Sequence, residues 1–138
     1  MVSDTEQVRS GLRLNLERGV EEMMQDLRNS YQVQSQAGRN EFRIQKTLTT
    51  FFIYYLYNAA NTYPPTFNQT TYQLRRATLT AIGGTFTYGS GDIILNDVLA
   101  PTTTQLQLSG NLAVADITVR RNTTETLRIK TQVKPRNL

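Results

Sequence analysis

The sequence predicts an α+β fold, with one long N-terminal amphipathic helix packed on an antiparallel β-sheet. Three observations carry that expectation. Apolar residues recur at helical spacing within residues 1–29. Alternating runs rich in β-branched and aromatic residues, punctuated by Gly, Pro and Asn, fill the rest. The chain has 138 residues, 38% of them hydrophobic, which suits one lean core in which a helix covers a sheet. The predicted organisation is therefore a single domain over 1–138, with a helix at 1–29 and a β-rich part at 30–138.

The helix is predicted from Asp4 to Asn29. Val8, Leu12, Leu16, Val20, Met23 and Leu27 recur every three or four residues. On a helical wheel they fill an arc of roughly 120°, the stripe of a helix lying on a core. Ser3 and Glu6 have the spacing of a capping box. Gly19 falls inside the apolar arc. A glycine there costs about 1 kcal/mol against Ala, so its place implies a close approach to the sheet.

Strand signals follow. "YQVQ" and "EFRIQ" flank the turn "AGRN" and form a hairpin pattern. "FFIYYLYN" is apolar on both faces, with Phe51, Ile53, Tyr55 and Tyr57 on one and Phe52, Tyr54 and Leu56 on the other. Such a strand needs cover on both sides. The helix stripe supplies one cover. The other must come from the sheet's curl, from the loop "NAANTYPPTFNQ" or from a second protein. A nucleic-acid stacking platform is the poorer reading, because basic residues do not accompany these rings. "TYQLRRATL" returns as a strand, and "IGGTFTYGSGD" reads as a glycine-rich turn. "IILNDVL" fits either a short helix capped by Asp92 or a strand. "NLAVADITVR" and "ETLRIKTQVK" form a closing hairpin. Ala115, Ile117, Val119, Leu127, Ile129 and Val133 face one way. Arg120, Arg128, Lys130 and Lys134 face the other.

Composition removes much chemistry. With no Cys and no His, the usual zinc sites, Ser-His-Asp triads and Cys-His pairs are excluded. "TYGSGD" lacks the lysine and spacing of a phosphate loop. Asp92, Asn96 and Asp97 offer oxygens to a calcium ion, but without EF-hand spacing. The expectation is no catalytic residue, no cofactor and no metal. Net charge is +4 and uneven. Asp4 to Arg28 holds six acidic and four basic residues, whereas Asp116 to Leu138 holds two acidic and six basic. The basic hairpin face reads as a guarded edge strand rather than a nucleic-acid site. On the helix, Leu14 interrupts the polar side, bracketed by Arg13, Glu17, Arg18 and Glu21. An apolar residue in a charged ring has the composition of a small contact with a polar rim.

Four stretches carry a family resemblance: "VRSGLRLNLERGVEEMMQDLRNS", "IYYLYN", "YQLRRATL" and "TLRIKTQVKPRNL" with its Arg136-Asn137 pair. The first resembles the second half of the long helix of minor pilins and pseudopilins. The chain is most similar to the J-type minor pseudopilins of type II secretion and their type IV pilus counterparts. The resemblance implies a pilin-like fold and a non-enzymatic structural subunit in the tip complex that primes filament assembly. It implies the periplasmic domain of a bitopic inner-membrane protein, made as a methylated prepilin-type precursor. Its implied partners are the other minor subunits, the major subunit and the inner membrane, the last through a helix absent from this chain. A DNA-binding minor pilin of an uptake machine is the alternative implied by the basic hairpin.

That resemblance sets the first expected outcome. The native reading frame should encode a cleavable basic leader and about 20 apolar residues ahead of Val2, with Met1 an added start. Sequencing upstream of Val2 checks it. A natural initiation codon at Met1 with no apolar helix before it would remove the pilin assignment.

Overall fold

The computed structural model describes residues 4–36, 38–100, 103–121 and 124–136, with side chains of the helix from Arg13 onward. The elements are α1 (Asp4–Arg28), β1 (Gln32–Gln34), β2 (Phe42–Gln45), β3 (Phe51–Tyr57), β4 (Thr71–Leu79), β5 (Asp92–Leu99), β6 (Gln105–Ser109), β7 (Leu112–Arg120) and β8 (Thr126–Val133). Ser3 of the expected capping box and Asn137 lie outside the described residues, as do the side chains of Glu6, Val8 and Leu12.

The expected fold class is corrected. The protein is mostly β: eight antiparallel strands form one sheet that curls into a half-barrel. The stretch of helix described as packed on it is short, from Leu16 to Leu27, about three turns. A long N-terminal helix on a sheet is therefore not the organising feature. The reason lies in how the core is made. Its main cluster takes Leu16, Val20, Met23, Met24 and Leu27 from the helix. Its other buried members come from the concave face of the sheet, among them Phe42, Ile44, Tyr54, Leu56, Leu74, Leu106 and Ile117. The curl brings strands over one another and buries what a flat sheet would leave to a longer helix.

The sheet runs β1-β2-β3-β4-β5-β7-β6, with β8 on β7. It is two meanders joined at a seam. β1 to β5 pair successively, and β6, β7 and β8 pair with β7 in the centre. Among the described residues the seam between β5 and β7 is the single pair Val98–Val119. The helix packs across this region, against β8, β5 and β7. At Gly19 a Cβ would stand 2.9 Å from Leu95 Cδ2 and 3.0 Å from Ile94 Cγ2. The close approach expected at that glycine is present.

β5 resolves the ambiguity of "IILNDVL" as a strand. Its pairing with β4 shifts register twice, between Tyr72 and Leu74 and between Leu74 and Arg75. Asp97 takes a left-handed conformation, with φ 56°. Extra residues in a bulged strand re-aim the side chains that follow. Leu95 and Val98, three apart, both reach the core. β6 also alternates, burying Leu106 between exposed Gln105 and Gln107, but over only five residues.

β3 is buried on both faces, as its pattern predicts. Tyr54 and Leu56 join the main core. Ile53 and Tyr55 join a second cluster with Ala77 and Leu79, flanked by Phe51, Tyr57, Phe86 and Tyr88. The cover on this convex face is a strap, the glycine-rich segment of residues 80–91 between β4 and β5, expected above as a turn. Phe86 packs on Tyr55 with ring centroids 4.7 Å apart, and Tyr88 on Tyr57 at 4.8 Å. Tyr63, from the proline-containing loop, meets Phe86 at 4.9 Å. Gly91 is needed where the strap rejoins the sheet, since a Cβ there would lie 2.6 Å from the Tyr55 hydroxyl.

Replacing Leu16 by Ala should cost about 2–5 kcal/mol of stability, the usual range for emptying a buried leucine site. Leu14→Ala, at a half-exposed position, should stay within about 0.5 kcal/mol. Urea unfolding of both variants checks the pair. Equal effects would mean that the stripe does not face the sheet.

Candidate interaction surface and the polar clusters beside it

Every residue of the expected contact ring is exposed: Arg13, Leu14, Glu17, Arg18 and Glu21. Leu14 keeps 46% of its surface open. Helical periodicity dictates this, since the stripe through Leu16, Val20, Met23 and Leu27 turns that side to the core. The ring is ordered locally. Arg13 Nη1 lies 3.8 Å from Glu17 Oε1, one turn along. Gln25 Nε2 donates to Glu21 Oε1 at 3.2 Å. Such exposed contacts contribute little to stability. On one flank, Arg18 and Glu22 wall a cavity of about 460 Å³ with Ile93, Ile94 and Asp97 of β5.

The basic hairpin is less free than its sequence suggests. Arg128 forks onto Asp116, with Nε donating to Oδ1 at 2.8 Å and Nη2 to Oδ2 at 2.6 Å. That bond holds the Asp116 carboxyl below the usual carboxylate range. Lys130 and Lys134 remain exposed. Asp92, Asn96 and Asp97 are also exposed, on β5. Asn96 Oδ1 accepts from Gln73 Nε2 at 3.0 Å. Among the described residues no group of three or more His, Cys, Asp or Glu side chains is placed to hold a metal ion.

Two buried ionic clusters carry no signal in the sequence pattern. The first fastens the helix. Asp26 is 5% exposed near the helix end. Its Oδ1 accepts from Lys46 Nζ at 2.8 Å, and its Oδ2 accepts from the Tyr54 hydroxyl at 2.7 Å. Arg76 Nε stands 3.3 Å from Oδ2, in ion-pair range, while its guanidinium lies 3.6 Å above the Phe52 ring. Burial pushes the Tyr54 phenol up, and the hydrogen bond to Asp26 pushes it further.

The second cluster holds the strap. Glu41 is 1% exposed. It accepts from Tyr63 OH and, at 2.8 Å, from Arg43 Nε. Arg43 also donates to the carbonyls of Ile82 at 3.1 Å and Gly84 at 2.7 Å, and to Tyr63 OH at 3.0 Å. Burial raises the Tyr63 phenol first, and its bond to Glu41 adds to this. At the strap's other end Arg75 Nη1 donates to Gly89 O at 2.8 Å, and Tyr55 OH donates to Tyr88 O at 2.6 Å. Alternation assigns Arg43 and Arg75 to the convex face, where a sequence reading expects solvent. They instead meet the strap's carbonyls.

No protein-family model, curated protein or solved structure matches this chain. Among the described residues no helix is long and apolar enough to cross a membrane.

Asp26→Ala leaves two cations facing a vacated site. Breaking a fully buried ion pair costs about 3–5 kcal/mol. The side chains of Lys46 and Arg76 are 42% and 24% exposed and partly rehydrate, so a loss below that range is expected. Tyr54→Phe removes one hydrogen bond and should cost about 0.5–1.5 kcal/mol. Denaturant unfolding of each variant checks the order. A larger loss for Tyr54→Phe would show that the carboxylate is not the hub.

Proposed function

We propose that this chain is a non-enzymatic assembly subunit of the minor pilin and pseudopilin class. It acts in the tip complex that primes a type IV pilus or a type II secretion pseudopilus. Two supports carry the reading, and the mostly β fold class is not one of them. The first is the resemblance over "VRSGLRLNLERGVEEMMQDLRNS" and the three β stretches. The second, which carries most, is the position of Leu14: half-exposed and ringed by Arg13, Glu17, Arg18 and Glu21, on the helix side turned from the sheet. In a filament the helix is sandwiched between its own sheet and neighbouring subunits. The rim charges would set register and partner choice more than affinity. A contact of this size leaves the isolated domain monomeric or weakly associating.

The DNA-uptake alternative rests on the basic hairpin, and the fork from Arg128 to Asp116 takes one of its four cations. It would show as DNA affinity that falls steeply with salt.

Leu14→Glu should leave the thermal melt unchanged and weaken binding to a companion minor subunit at least tenfold. The check is a titration against the soluble domains encoded by neighbouring pilin-like genes. Unchanged binding with an unchanged melt would mean that this face is only solvated.

A further inference from the structure

Beside the strap cluster lies a cavity of about 420 Å³, lined by Gln34, Ser35, Gln36, Arg39, Glu41, Arg43 and Gly83. Its charge does not balance. Each Glu41 oxygen accepts a hydrogen bond, Oε1 from Tyr63 and Oε2 from Arg43. Arg43 spends its fork on Glu41, Tyr63 and the two strap carbonyls. The second guanidinium, that of Arg39, has no carboxylate partner among the described residues. It is nonetheless held in place. Arg39 Nη1 donates to Tyr63 OH at 3.3 Å, its carbon lies 5.4 Å from the centre of the Tyr63 ring, and its backbone N–H donates to Gln36 O at 3.1 Å. Its remaining N–H groups have no protein acceptor among the described residues. The lining side chains of Gln34, Ser35 and Gln36 likewise have no protein hydrogen-bond partner there. The cavity therefore presents one oriented, uncompensated cation beside neutral donors.

We propose that this cavity is a binding site for a small oxyanion, a carboxylate or a phosphate, held by a two-point bond to Arg39. A planar guanidinium fixed by a ring beneath it has already lost the freedom that binding would otherwise remove, and its fork matches paired anion oxygens. Glu41 does not oppose the anion with a free charge, because Arg43 neutralises it within the cluster. Gln34, Ser35 and Gln36 add further donors to the lining. The site stands apart from the Leu14 face and does not depend on the filament reading.

The test is an NMR titration of the whole chain with sodium acetate and, separately, sodium phosphate, against potassium chloride at matched ionic strength. The expected result is saturable shifts at the Arg39 side chain and at the Gln36 and Gly83 amides that chloride does not reproduce. The anion with the tighter saturation identifies the ligand class. Arg39→Gln should weaken binding at least tenfold. Gly83→Asp should do the same from a different element, since a Cβ there meets nothing within 4 Å and adds a negative charge to the lining. The two variants together guard against one that folds poorly. Shifts that chloride matches, or that survive in a folded Arg39→Gln or Gly83→Asp protein, would overturn the site.

Discussion

The two-sided burial of β3 is the constraint from which the rest of the fold follows. A strand with Tyr54 and Leu56 on one face and Ile53 and Tyr55 on the other cannot lie on the surface of a one-layer sheet. An aromatic side chain removes roughly 150–250 Å² from water. At about 25 cal/mol per Å² that is a gross gain of about 4–6 kcal/mol per ring, an upper figure because unfolded chains are partly collapsed. A charge-assisted hydrogen bond contributes a net of about 1.5–3 kcal/mol. The rings therefore decide that both faces must be covered. On the concave side the cover is the helix from Leu16 to Leu27 together with the curl that brings β7 and β8 round. On the convex side it is the strap carrying Phe86 and Tyr88.

The ionic clusters decide where those covers sit. Apolar contact is non-directional, so a helix held by Met23 and Leu27 alone could slide along its groove. Asp26 supplies the missing direction, because one carboxylate accepts hydrogen bonds from Lys46 after β2 and Tyr54 on β3 and lies in ion-pair range of Arg76 on β4. The strap raises a different problem. It is glycine-rich and irregular, and its carbonyls would lie against a sheet face with no ladder to satisfy them. Arg43 and Arg75 donate to Ile82, Gly84 and Gly89 and so meet that need from strand positions. Arginine suits this task because its fork reaches several acceptors while its stem packs. Arg75 uses both properties, lying 3.7 Å from the Tyr57 ring centre while bonding Gly89.

What the sequence made legible was whatever rests on local periodicity. The stripe at Leu16, Val20, Met23 and Leu27, the close approach at Gly19, the hairpins and the two faces of β3 all follow from spacings of three to four or of two. The fold class was misjudged because periodicity describes elements and not the curl between them. The helix stripe suggested a helix-covered sheet, whereas the sheet covers much of itself. β5 stayed ambiguous for a definable reason: its register shifts put Leu95 and Val98 three apart on one face, and that spacing imitates a helix turn. The strap was illegible because its glycines signal a turn, and only the tertiary fold sets Phe86 and Tyr88 on Tyr55 and Tyr57. The buried clusters join residues far apart in sequence, such as Glu41 with Tyr63, and no short-range pattern reports them. Of the candidate surface, the exposure of Leu14 and its ring was readable from the wheel. The pairing of Arg128 with Asp116 was not.

These constraints bear on the kind of work the chain can do. A half-barrel whose convex face is strapped and whose concave face is filled has spent its large apolar surfaces on itself. Among the described residues the large apolar side chains left open are Leu14, Tyr31, Leu48 and Ile93. Leu48 stands at the β2–β3 turn and Tyr31 at the helix exit, where Arg136 lies 5.6 Å from its ring. Ile93 lines the cavity that Arg18 and Glu22 wall. A surface of this kind, with isolated apolar points inside mixed charge, gives little affinity to any single contact. It discriminates by requiring the correct charge at each rim position, and it gains strength when several such contacts are made at once. An assembly subunit working beside many copies of similar chains needs that balance. For the proposed assembly role, a strongly apolar face would associate without selection, whereas a weak and exactingly charged one would select its neighbour and draw its strength from many contacts made together.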